Sequence, residues 1–588
     1  MPFLKIEELS IRYPFQSEDV LKGISLDLEQ GERVLILGPS GGGKSTLALA
    51  LNGIIPRAVE ADMKGTLLVD GSSPAELSPS AVSRKIGILF QDPETQFCMV
   101  TVEEEILFGL ENLGLTRTEM EERLETSLGL VGLSHVRKAQ LQELSGGMKQ
   151  KLGIACLLAM DPDVLILDEP TANLDPASTQ EIFQLLLSLS GRLGKTLIFI
   201  EHKLDSLLPH MERVIVLDQL GNIMADDGPR RVFEQYYDTI KENGIWIPHL
   251  IQFARLLEEK GMQWSRLPLT LEEWQEELAM HGMDMQEWRG AAADGLAGLN
   301  GGEGQTETET VAGHELPRQV TAESSFDSRE GTPILKIRDL SFSYGGCDIL
   351  KSISLDVHPG EFIALVGPNG AGKTTLSQLL IGLLKPVAGD IQLNGVRYQD
   401  LKQNELMKKA GYVFQNPEHQ FVCDSVEQEL AFGYKISGWK PEEWKPSVEE
   451  LLEKFHLRSV REHNPFSLSQ GQKRRLSVAT MLTNDQQLLI LDEPTFGQDQ
   501  VNTEALMNLL QELNSMGKSI IMITHDMELV YQYASKVVLL QEGTVAYQGG
   551  PESFFENHTL LRNAAVTVPL SYRLKPWAQA FKEDKVLC

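Results

Sequence analysis

Short, continuous apolar runs alternate along the chain with longer stretches that carry helical periodicity. Six of these runs form two groups: residues 164–169, 196–200 and 214–217, then residues 488–493, 519–523 and 537–540. Apolar runs separated by helix-length segments are typical of strands buried on both faces of a parallel sheet. The pattern therefore predicts an α/β fold.

The same pattern occurs twice. Landmarks of the first half recur in the second half at a nearly constant spacing of about 324 residues: Gln91, Ser145, Asp168 and His202 correspond to Gln415, Ser469, Asp492 and His525. Two homologous units explain this spacing. The predicted organisation is a first domain at residues 1–240, its helical appendage at 241–290, a linker at 291–332, a second domain at 333–565 and a tail at 566–588.

The stretch between the two domains differs in composition. Within the appendage, Leu250, Phe253, Ala254 and Leu257 share one face of a predicted helix, and a second helix is predicted to start at a capping box from Thr270 to Glu273. The linker is rich in Gly, Ser, Thr and Glu and holds few large apolar residues. That composition is typical of a disordered segment.

Composition excludes several classes of protein. Apolar residues make up 42% and charged residues 23% of the 588 positions, which is typical of globular proteins that bury a core. No apolar run approaches the length of a membrane span, and the first residues do not resemble a signal peptide. The five cysteines are scattered, as expected of reduced thiols in the cytosol. A net charge of −30 opposes binding to nucleic acid.

Two glycine-rich loops each follow an apolar run and precede a helix-like run, which is the context of a phosphate-binding loop. They consist of Gly38, Pro39, Ser40, Gly41, Gly42, Gly43, Lys44, Ser45 and Thr46, and of Gly367, Pro368, Asn369, Gly370, Ala371, Gly372, Lys373, Thr374 and Thr375. Backbone N–H groups and a helix N-terminus would surround phosphate there. Lys44 and Lys373 would hold phosphate, and Ser45 and Thr374 would ligate Mg²⁺.

Each half also has an acidic pair at the end of an apolar run. In these pairs, Asp168 and Asp492 would complete the Mg²⁺ shell, while Glu169 and Glu493 would orient and deprotonate the attacking water. A carboxylate in this place can also cap a helix.

A glutamine and a histidine accompany each acidic pair. Gln91 and Gln415 follow short apolar runs and are candidates for contacting both the metal and the water. His202 and His525 follow the next predicted strand, where an imidazole can bind the terminal phosphate or hold the water. Taken singly, such residues are more often turn or cap residues, so their weight comes from their matching positions.

A short motif precedes each acidic pair by about two dozen residues: it reads Leu-Ser-Gly-Gly-Met at 144–148 and Leu-Ser-Gln-Gly-Gln at 468–472. With these motifs, both units resemble the ATP-binding-cassette (ABC) family. The resemblance implies two nucleotide-binding domains, each with a RecA-like parallel-sheet core, an antiparallel β subdomain and a helical signature subdomain. It also implies that the domains pair within the chain and bind ATP with Mg²⁺.

On that resemblance, each signature motif contacts nucleotide held by the other domain, which gives two composite sites. Set one is Lys44, Ser45, Gln91, Asp168, Glu169 and His202 with Ser469 and Gly471; set two is Lys373, Thr374, Gln415, Asp492, Glu493 and His525 with Ser145, Gly146 and Gly147. Tyr13 and Tyr344 match the aromatic that stacks on adenine in the family. The alternative for these tyrosines is a surface position in a turn.

The second domain departs from the family pattern twice. Gln470 replaces the first signature glycine, and Phe-Gly-Gln-Asp at 496–499 replaces the more regular Ala-Asn-Leu-Asp at 172–175. Because the signature contacts nucleotide held by the other domain, both departures are expected to affect ATP hydrolysis at set one. We expect both sets to hydrolyse ATP, but unequally.

The segments at 90–97 and 414–421, together with the appendage, are similar to the ATPases of energy-coupling-factor (ECF) importers. This similarity implies a peripheral protein on the cytoplasmic face of the membrane. Its partners would be an integral-membrane coupling subunit and a small substrate-binding membrane subunit, and its cargo a vitamin or metal, with a thiamine precursor favoured.

Other classes fit less well. The tandem ATPase of a sugar importer is the nearest alternative, and the glutamine segments argue against it. A ribosome-associated tandem cassette protein should have a long basic helix between its domains, whereas this linker is acidic. A DNA-repair cassette protein should have zinc-binding cysteines or a coiled-coil insertion, and the sequence has neither.

Overall fold

The computed structural model describes residues 2–14, 16–171, 174, 176–202, 204–259, 261–280, 332–483, 486–564 and 566–575. The predicted linker lies outside the described residues except for Thr332. So do residues 281–290 of the predicted appendage and residues 576–588 of the predicted tail. No helix in the described part of the chain is both long and apolar enough to span a bilayer.

The described residues form two compact units. The first unit comprises those within 1–278, 413–484 and 493–510, and the second comprises those within 279–412, 485–492 and 511–588. The second signature motif and the loop at 496–499 therefore belong to the same compact unit as the first phosphate loop. The predicted domain boundaries follow the order of the chain, whereas these units follow contacts, so the boundaries stay predictions.

Two sheets form the first repeat. The strands are β1 Leu4–Arg12, β2 Leu21–Leu28, β3 Arg33–Leu37, β4 Asp62–Val69, β5 Ile86–Leu89, β6 Val164–Asp168, β7 Thr196–Ile200, β8 Arg213–Leu217 and β9 Ile223–Asp227. A six-stranded sheet has the order β5-β6-β7-β3-β8-β9, with only β9 antiparallel to its neighbour. A second, antiparallel sheet has the order β2-β1-β4.

The helices of the first repeat and appendage are α1 Lys44–Leu51, α2 Ile54–Arg57, α3 Pro79–Lys85, α4 Val102–Asn112, α5 Arg117–Leu130, α6 Gly146–Met160, α7 Pro176–Leu193, α8 Pro229–Gln235, α9 Tyr237–Glu242, α10 His249–Glu258 and α11 Leu271–Met280. Polar residues start several of them: Thr101 and Thr116 each form a complete capping box, at α4 and α5. A buried cluster joins Ile6 of β1, Ile36 of β3 and Leu47 of α1. It thereby fixes the helix that follows the first phosphate loop.

The second repeat also has a six-stranded sheet and an antiparallel sheet, with the strands in corresponding order. Its strands are β10 Leu335–Tyr344, β11 Cys347–Val357, β12 Phe362–Val366, β13 Ala388–Leu393, β14 Val396–Arg397, β15 Ala410–Val413, β16 Leu488–Asp492, β17 Ser519–Ile523, β18 Lys536–Gln541 and β19 Thr544–Gly549. They form sheets of order β15-β16-β17-β12-β18-β19 and β11-β10-β13-β14. The second sheet is antiparallel.

The second repeat's helices are α12 Lys373–Leu380, α13 Gln403–Met407, α14 Val426–Ile436, α15 Pro441–Lys454, α16 Gln470–Thr480, α17 Gln500–Ser515, α18 Met527–Tyr533, α19 Pro551–Glu556 and α20 His558–Asn563. The predicted α/β fold, with a parallel core, an antiparallel sheet and a helical segment in each repeat, is confirmed. The six predicted apolar runs are β6, β7, β8, β16, β17 and β18, within a residue or two at their ends.

The appendage contains both predicted helices, with one difference in each. On α10 the buried residues include Ile251, while Phe253 is half-buried and its ring centroid lies 5.6 Å from that of Trp274. At α11, Thr270 Oγ1 accepts the Glu273 N–H as predicted, but the Glu273 carboxylate accepts the N–H of Leu269. Arg230 also donates to Glu273, and this ion pair draws the carboxylate away from the capping box.

Candidate functional site

Each phosphate loop joins a central strand to a helix: β3 to α1 and β12 to α12. Lys44 is the first residue of α1, and its Nζ donates to the carbonyls of Gly38 at 2.7 Å and Pro39 at 2.9 Å. Lys373 makes the same contacts with Gly367 and Pro368, at 2.8 and 3.0 Å. Both ammonium groups are buried, and burial lowers the pKa of Lys44.

Two of the three predicted metal ligands of set one, Ser45 and Asp168, are in contact. Ser45 Oγ, in the first turn of α1, donates to Asp168 Oδ2 at the end of β6 over 3.0 Å. Asp168 is buried, and desolvation raises its pKa while the Ser45 hydrogen bond and the Lys44 charge oppose that shift. Hydroxyl and carboxylate oxygens are the ligands that Mg²⁺ prefers.

Glu169 is the centre of a second cluster in set one. Its φ of 47° lies in the left-handed region, which is uncommon for residues other than glycine. Gln91 Nε2 donates to its Oε2 over 2.9 Å, and His202 Nε2 lies 3.4 Å from its Oε1. The structure therefore brings together Gln91, Glu169 and His202, which the sequence placed at three separate strand ends.

Burial sets the charges in this cluster. It raises the pKa of Glu169 to about 8, with further repulsion from the carboxylates of Glu201 and Asp168. It also lowers the pKa of His202 to about 3. Both shifts favour the neutral form of each side chain because the cluster is desolvated.

Glu201 and Thr171 lie beside this cluster and were missed by the sequence reasoning. Glu201 is 4% exposed, and its Oε1 accepts the Thr171 hydroxyl over 2.6 Å while its Oε2 accepts the His202 N–H over 3.3 Å. The signal in the sequence was the mismatch between the repeats, since Thr524 stands where the first repeat has Glu201.

The glutamine segments have the same construction in both repeats. Asp92 and Asn416 cap the short turns that follow Gln91 and Gln415. Glu105 then accepts the N–H groups of Cys98 and Met99 at 2.9 and 2.8 Å, and Glu429 accepts those of Val422 and Cys423 at 3.0 and 2.8 Å. A buried carboxylate on the next helix therefore fixes the end of each segment.

The signature serines cap their helices. Ser145 Oγ accepts the Met148 N–H at α6, and Ser469 Oγ accepts the Gln472 N–H at α16. Ser145, Gly146, Ser469 and Gln470 are exposed, whereas Gly147 and Gly471 are buried.

A chain of hydrogen bonds in the first unit links the second signature helix to the first phosphate loop. Arg475 of α16 donates to Asn502 Oδ1 over 2.9 Å, and Asn502 donates to Asp499 Oδ1 from both its N–H and its side chain. Asp499 Oδ2 in turn accepts the Ser40 N–H over 3.2 Å. Asn502 also lies against Gly471, where a Cβ would stand 2.3 Å from its Oδ1.

Set two has members in both compact units. Lys373, Thr374, Asp492 and His525 belong to the second unit, and Gln415, Glu493, Ser145, Gly146 and Gly147 to the first. Within the second unit, Asp492 Oδ2 accepts the Tyr412 hydroxyl over 3.0 Å. In the first unit, Glu493 has the same left-handed backbone as Glu169, with a φ of 44°, and the backbone carbonyl of Gln415 accepts a bond from Arg474.

The two candidate adenine-stacking tyrosines differ. The Tyr13 hydroxyl lies 3.1 Å from Thr46 Oγ1, next to the first phosphate loop. Tyr344 is 50% exposed and packs edge-on against Phe342.

Comparison with known proteins shows the family of this chain. The family model described as "ABC transporter" matches residues 21–172 and 350–496. "Putative HMP/thiamine import ATP-binding protein YkoD" of Bacillus subtilis (strain 168) is 40% identical over 99% of this chain and 97% of its own length. A "Putative ABC transporter ATP-binding protein" of Methanosarcina acetivorans is 35% identical over 97% of this chain and 90% of its own length.

A solved structure of cbiO1 from Clostridium perfringens, titled "Part of the ABC transporter complex cbiONQ", is 32% identical, with a TM-score of 0.37 over 42% of this chain and 99% of that chain. The family match covers both repeats, and the relatives align over almost the whole length. The chain therefore belongs to the ABC transporter family and is a tandem ABC ATPase, which binds ATP and couples its hydrolysis to transport.

Proposed function

We propose that this chain is the ATP-hydrolysing subunit of an ECF-type importer, with ATP and Mg²⁺ bound at sets one and two. One observation carries the chemistry: Ser45 faces Asp168 while Gln91 and His202 converge on Glu169. The 40% identity with YkoD over nearly the whole chain supports the import role.

The residues present fit a magnesium ion. Among the described residues, no cluster of three or more His, Cys, Asp or Glu could enclose a metal. Mg²⁺ does not need one, because it keeps water ligands and shares substrate phosphates with one or two carboxylates. In set one Ser45, Asp168 and Gln91 would hold it, and in set two Thr374, Asp492 and Gln415 would do so. Bound there, it would neutralise charge on the transferred phosphoryl group.

The remaining residues take their roles around the nucleotide. Lys44 and Lys373 bind phosphate oxygens together with the backbone N–H groups of their loops. Glu169 and Glu493 orient and deprotonate the attacking water, assisted by Gln91, Gln415, His202 and His525. Ser469 and Gly471 complete set one; Ser145, Gly146 and Gly147 complete set two; Tyr13 and Tyr344 stack on adenine.

The glutamine segments are the proposed docking face for a membrane partner. The helix after each segment exposes a phenylalanine at the matching position: Phe108 is 39% and Phe432 41% exposed. Val422, directly after the second segment, is 66% exposed. Exposed aromatic and aliphatic side chains are typical contacts for a partner's amphipathic helix.

The partners would be an integral-membrane coupling subunit and a small substrate-binding membrane subunit. The chain would then work as a peripheral protein on the cytoplasmic face of the membrane. HMP or thiamine is the proposed cargo class because of the relative's name. The cargo would be recognised by the small membrane subunit rather than by this chain.

Purification of the tagged full-length chain from membranes tests this proposal. We expect it to recover two membrane proteins, and the reconstituted complex should take up labelled HMP or thiamine only with ATP. Recovery of ribosomal proteins, or ATP-driven uptake of a sugar instead, would contradict the ECF assignment. Absence of ATP hydrolysis by the complex would contradict the chemistry.

A further inference from the structure

The segment at 244–249, which joins α9 to α10 in the appendage, contacts the loop at 496–500 inside the first compact unit. The indole N–H of Trp246 donates to the carbonyl oxygen of Gln498 over 3.1 Å. The next backbone N–H, of Ile247, donates to Gln500 Oε1 over 3.3 Å. Two directional bonds therefore fix this loop against the appendage.

Close packing supports the two hydrogen bonds. Gly244 has a φ of +69°, and a Cβ at this position would stand 2.4 Å from Val501 Cγ2 in the first turn of α17. The other end of the segment is held as well, because the His249 N–H donates to Asp205 Oδ1 over 2.8 Å and its ring Nδ1 lies 3.0 Å from Asp205 Oδ2. Asp205 follows His202 by three residues in the sequence, so the segment contacts both the stretch after His202 and the loop.

The contacted loop reaches the first phosphate site. Asp499 accepts the Ser40 N–H, as described above. Gly497, with a φ of +65°, approaches Gln91 so closely that a Cβ would stand 2.7 Å from Gln91 Nε2. The loop that departs from the regular pattern therefore contacts both the phosphate loop and the glutamine of set one.

The second repeat has no counterpart of Trp246 in its sequence. Ile-Trp-Ile-Pro at 245–248 corresponds to Val-Thr-Val-Pro at 566–569, so that Thr567 replaces the indole. Threonine has no ring N–H, and its side chain is too short to span the same distance. The tryptophan thus accompanies the one loop with the sequence Phe-Gly-Gln-Asp.

We propose that Trp246 is a positioning residue for ATP turnover at set one, an assignment that rests on the composite site proposed above. Trp246 holds the loop at 496–500 in place, and the loop orders the Ser40 N–H and the space beside Gln91. The appendage of the first repeat is thereby part of set one.

Trp246→Phe in the full-length chain tests this assignment, because it keeps the ring and removes the N–H. Trp264→Phe is the matched control, since its indole also donates to a backbone carbonyl over 3.1 Å, but to Ala254 within the appendage. One hydrogen bond corresponds to a rate effect of about fivefold. In a Glu493→Gln background, where turnover reports on set one, we expect kcat for MgATP to fall by about that factor in Trp246→Phe, with KM changed less than about twofold.

Hydrogen exchange provides the readout that a general loss of stability would not give. Exchange in peptides containing Ser40 and the loop at 496–500 should rise in Trp246→Phe and stay unchanged in Trp264→Phe. Gln500→Leu, which removes the acceptor for Ile247, should reproduce the effect, and Gln500→Glu, which keeps an acceptor, should not.

Equal kcat and equal exchange in Trp246→Phe and Trp264→Phe would overturn the assignment. If Trp246→Phe fails to fold, the two Gln500 variants provide the test. Equal kcat in Gln500→Leu and Gln500→Glu would then overturn the assignment. If the wild-type chain hydrolyses ATP, either of these outcomes contradicts the role of Trp246 alone and not the proposed function. If the wild-type chain does not hydrolyse ATP, the role of Trp246 and the proposed function are both contradicted.

Discussion

The two repeats carry the same motifs but surround them with different side chains. In the first repeat, Asp168 accepts a bond from Ser45, and the neighbouring positions are the apolar Ala48 and Ile88. In the second repeat these positions are Ser377 and Tyr412, whose hydroxyl groups lie 3.3 Å apart, and Tyr412 donates to Asp492. The motif determines which residue is the proposed metal ligand, and its neighbours determine which hydrogen bonds hold that residue.

A second difference concerns charge. The first repeat has the buried Glu201 beside its histidine, and this carboxylate contributes to the raised pKa of Glu169. The second repeat has Thr524, whose Oγ1 accepts the Asp526 N–H over 3.0 Å. Matched motifs therefore do not imply matched electrostatics, and the two ATP sites should differ in rate.

The largest expected effect comes from the two glutamates. Glu169→Gln and Glu493→Gln should each preserve ATP binding and slow hydrolysis, because general-base assistance is worth about 10² to 10⁴ in rate. Together they should abolish turnover. Single-turnover hydrolysis with a parallel nucleotide-binding assay measures this, and ordinary turnover in the double variant would remove both residues from the mechanism.

The next largest effect is the difference in uptake between variants of the two loop lysines. Lys373→Ala should reduce uptake more than Lys44→Ala, by about tenfold against about threefold, because set two contains the regular signature and set one contains Gln470. Uptake by reconstituted complexes measures the ratio. Equal losses would show that Gln470 is harmless or that the sites act only together.

A charge swap tests the docking face. Glu94 is paired with Lys149 at 2.6 Å, and Glu418 with Lys473 at 2.5 Å, so simple reversal of a glutamate also breaks a local ion pair. Glu94 is largely exposed, so its pair with Lys149 is worth about 1 kcal/mol or less and the fold should survive its loss, whereas Lys473 of the second pair is buried. Glu94→Lys with Lys149→Glu restores that pair.

If Glu94 contacts a membrane partner, the swapped protein should keep its ATPase rate and still lose most of its uptake. Restored uptake in the swapped protein would mean that Glu94 only forms the ion pair with Lys149 and does not contact the partner. The same swap at Glu418 and Lys473 shows whether both repeats dock alike.

The smallest effect is on stability. Burial raises the pKa of Glu429 above its ordinary value of 4.5, although two backbone N–H groups oppose the shift. The folded state then holds this proton more tightly than the unfolded state, so its contribution is complete below pH 4.5 and is lost as pH rises through the folded pKa. The Tm of the wild type relative to Glu429→Gln should therefore fall with rising pH. A rise would mean that the Val422 and Cys423 N–H groups outweigh desolvation.

The sequence predicted the parts of this molecule that depend on local pattern. The phosphate loops, the buried strands and the acidic pairs follow from short motifs, because strand, loop and helix are adjacent in the chain. The convergence of Gln91 and His202 on Glu169 followed only from family resemblance.

The contacts that no local pattern marks were missed. Trp246 and Gln498 lie far apart in sequence, and the acceptor is a backbone carbonyl, which every residue possesses. Glu105 and Glu429 likewise bind backbone N–H groups, so they look in the sequence like ordinary acids of a helix. Tyr412 could have been found from its mismatch with Ile88, as could Glu201 from Thr524.

The bonds between each loop lysine and its own loop carbonyls have a consequence for ligand choice. The ammonium of Lys44 already has two neutral acceptors, and Lys373 has the matching pair. An incoming ligand therefore competes with the carbonyls of the loop itself for each lysine. A neutral molecule offers the lysine nothing better than it has, whereas an anionic phosphate oxygen makes a charge-assisted bond of roughly twice the strength. Uncharged metabolites would therefore be disfavoured at the lysine by this exchange rather than by shape, and both repeats have the bonds that produce it.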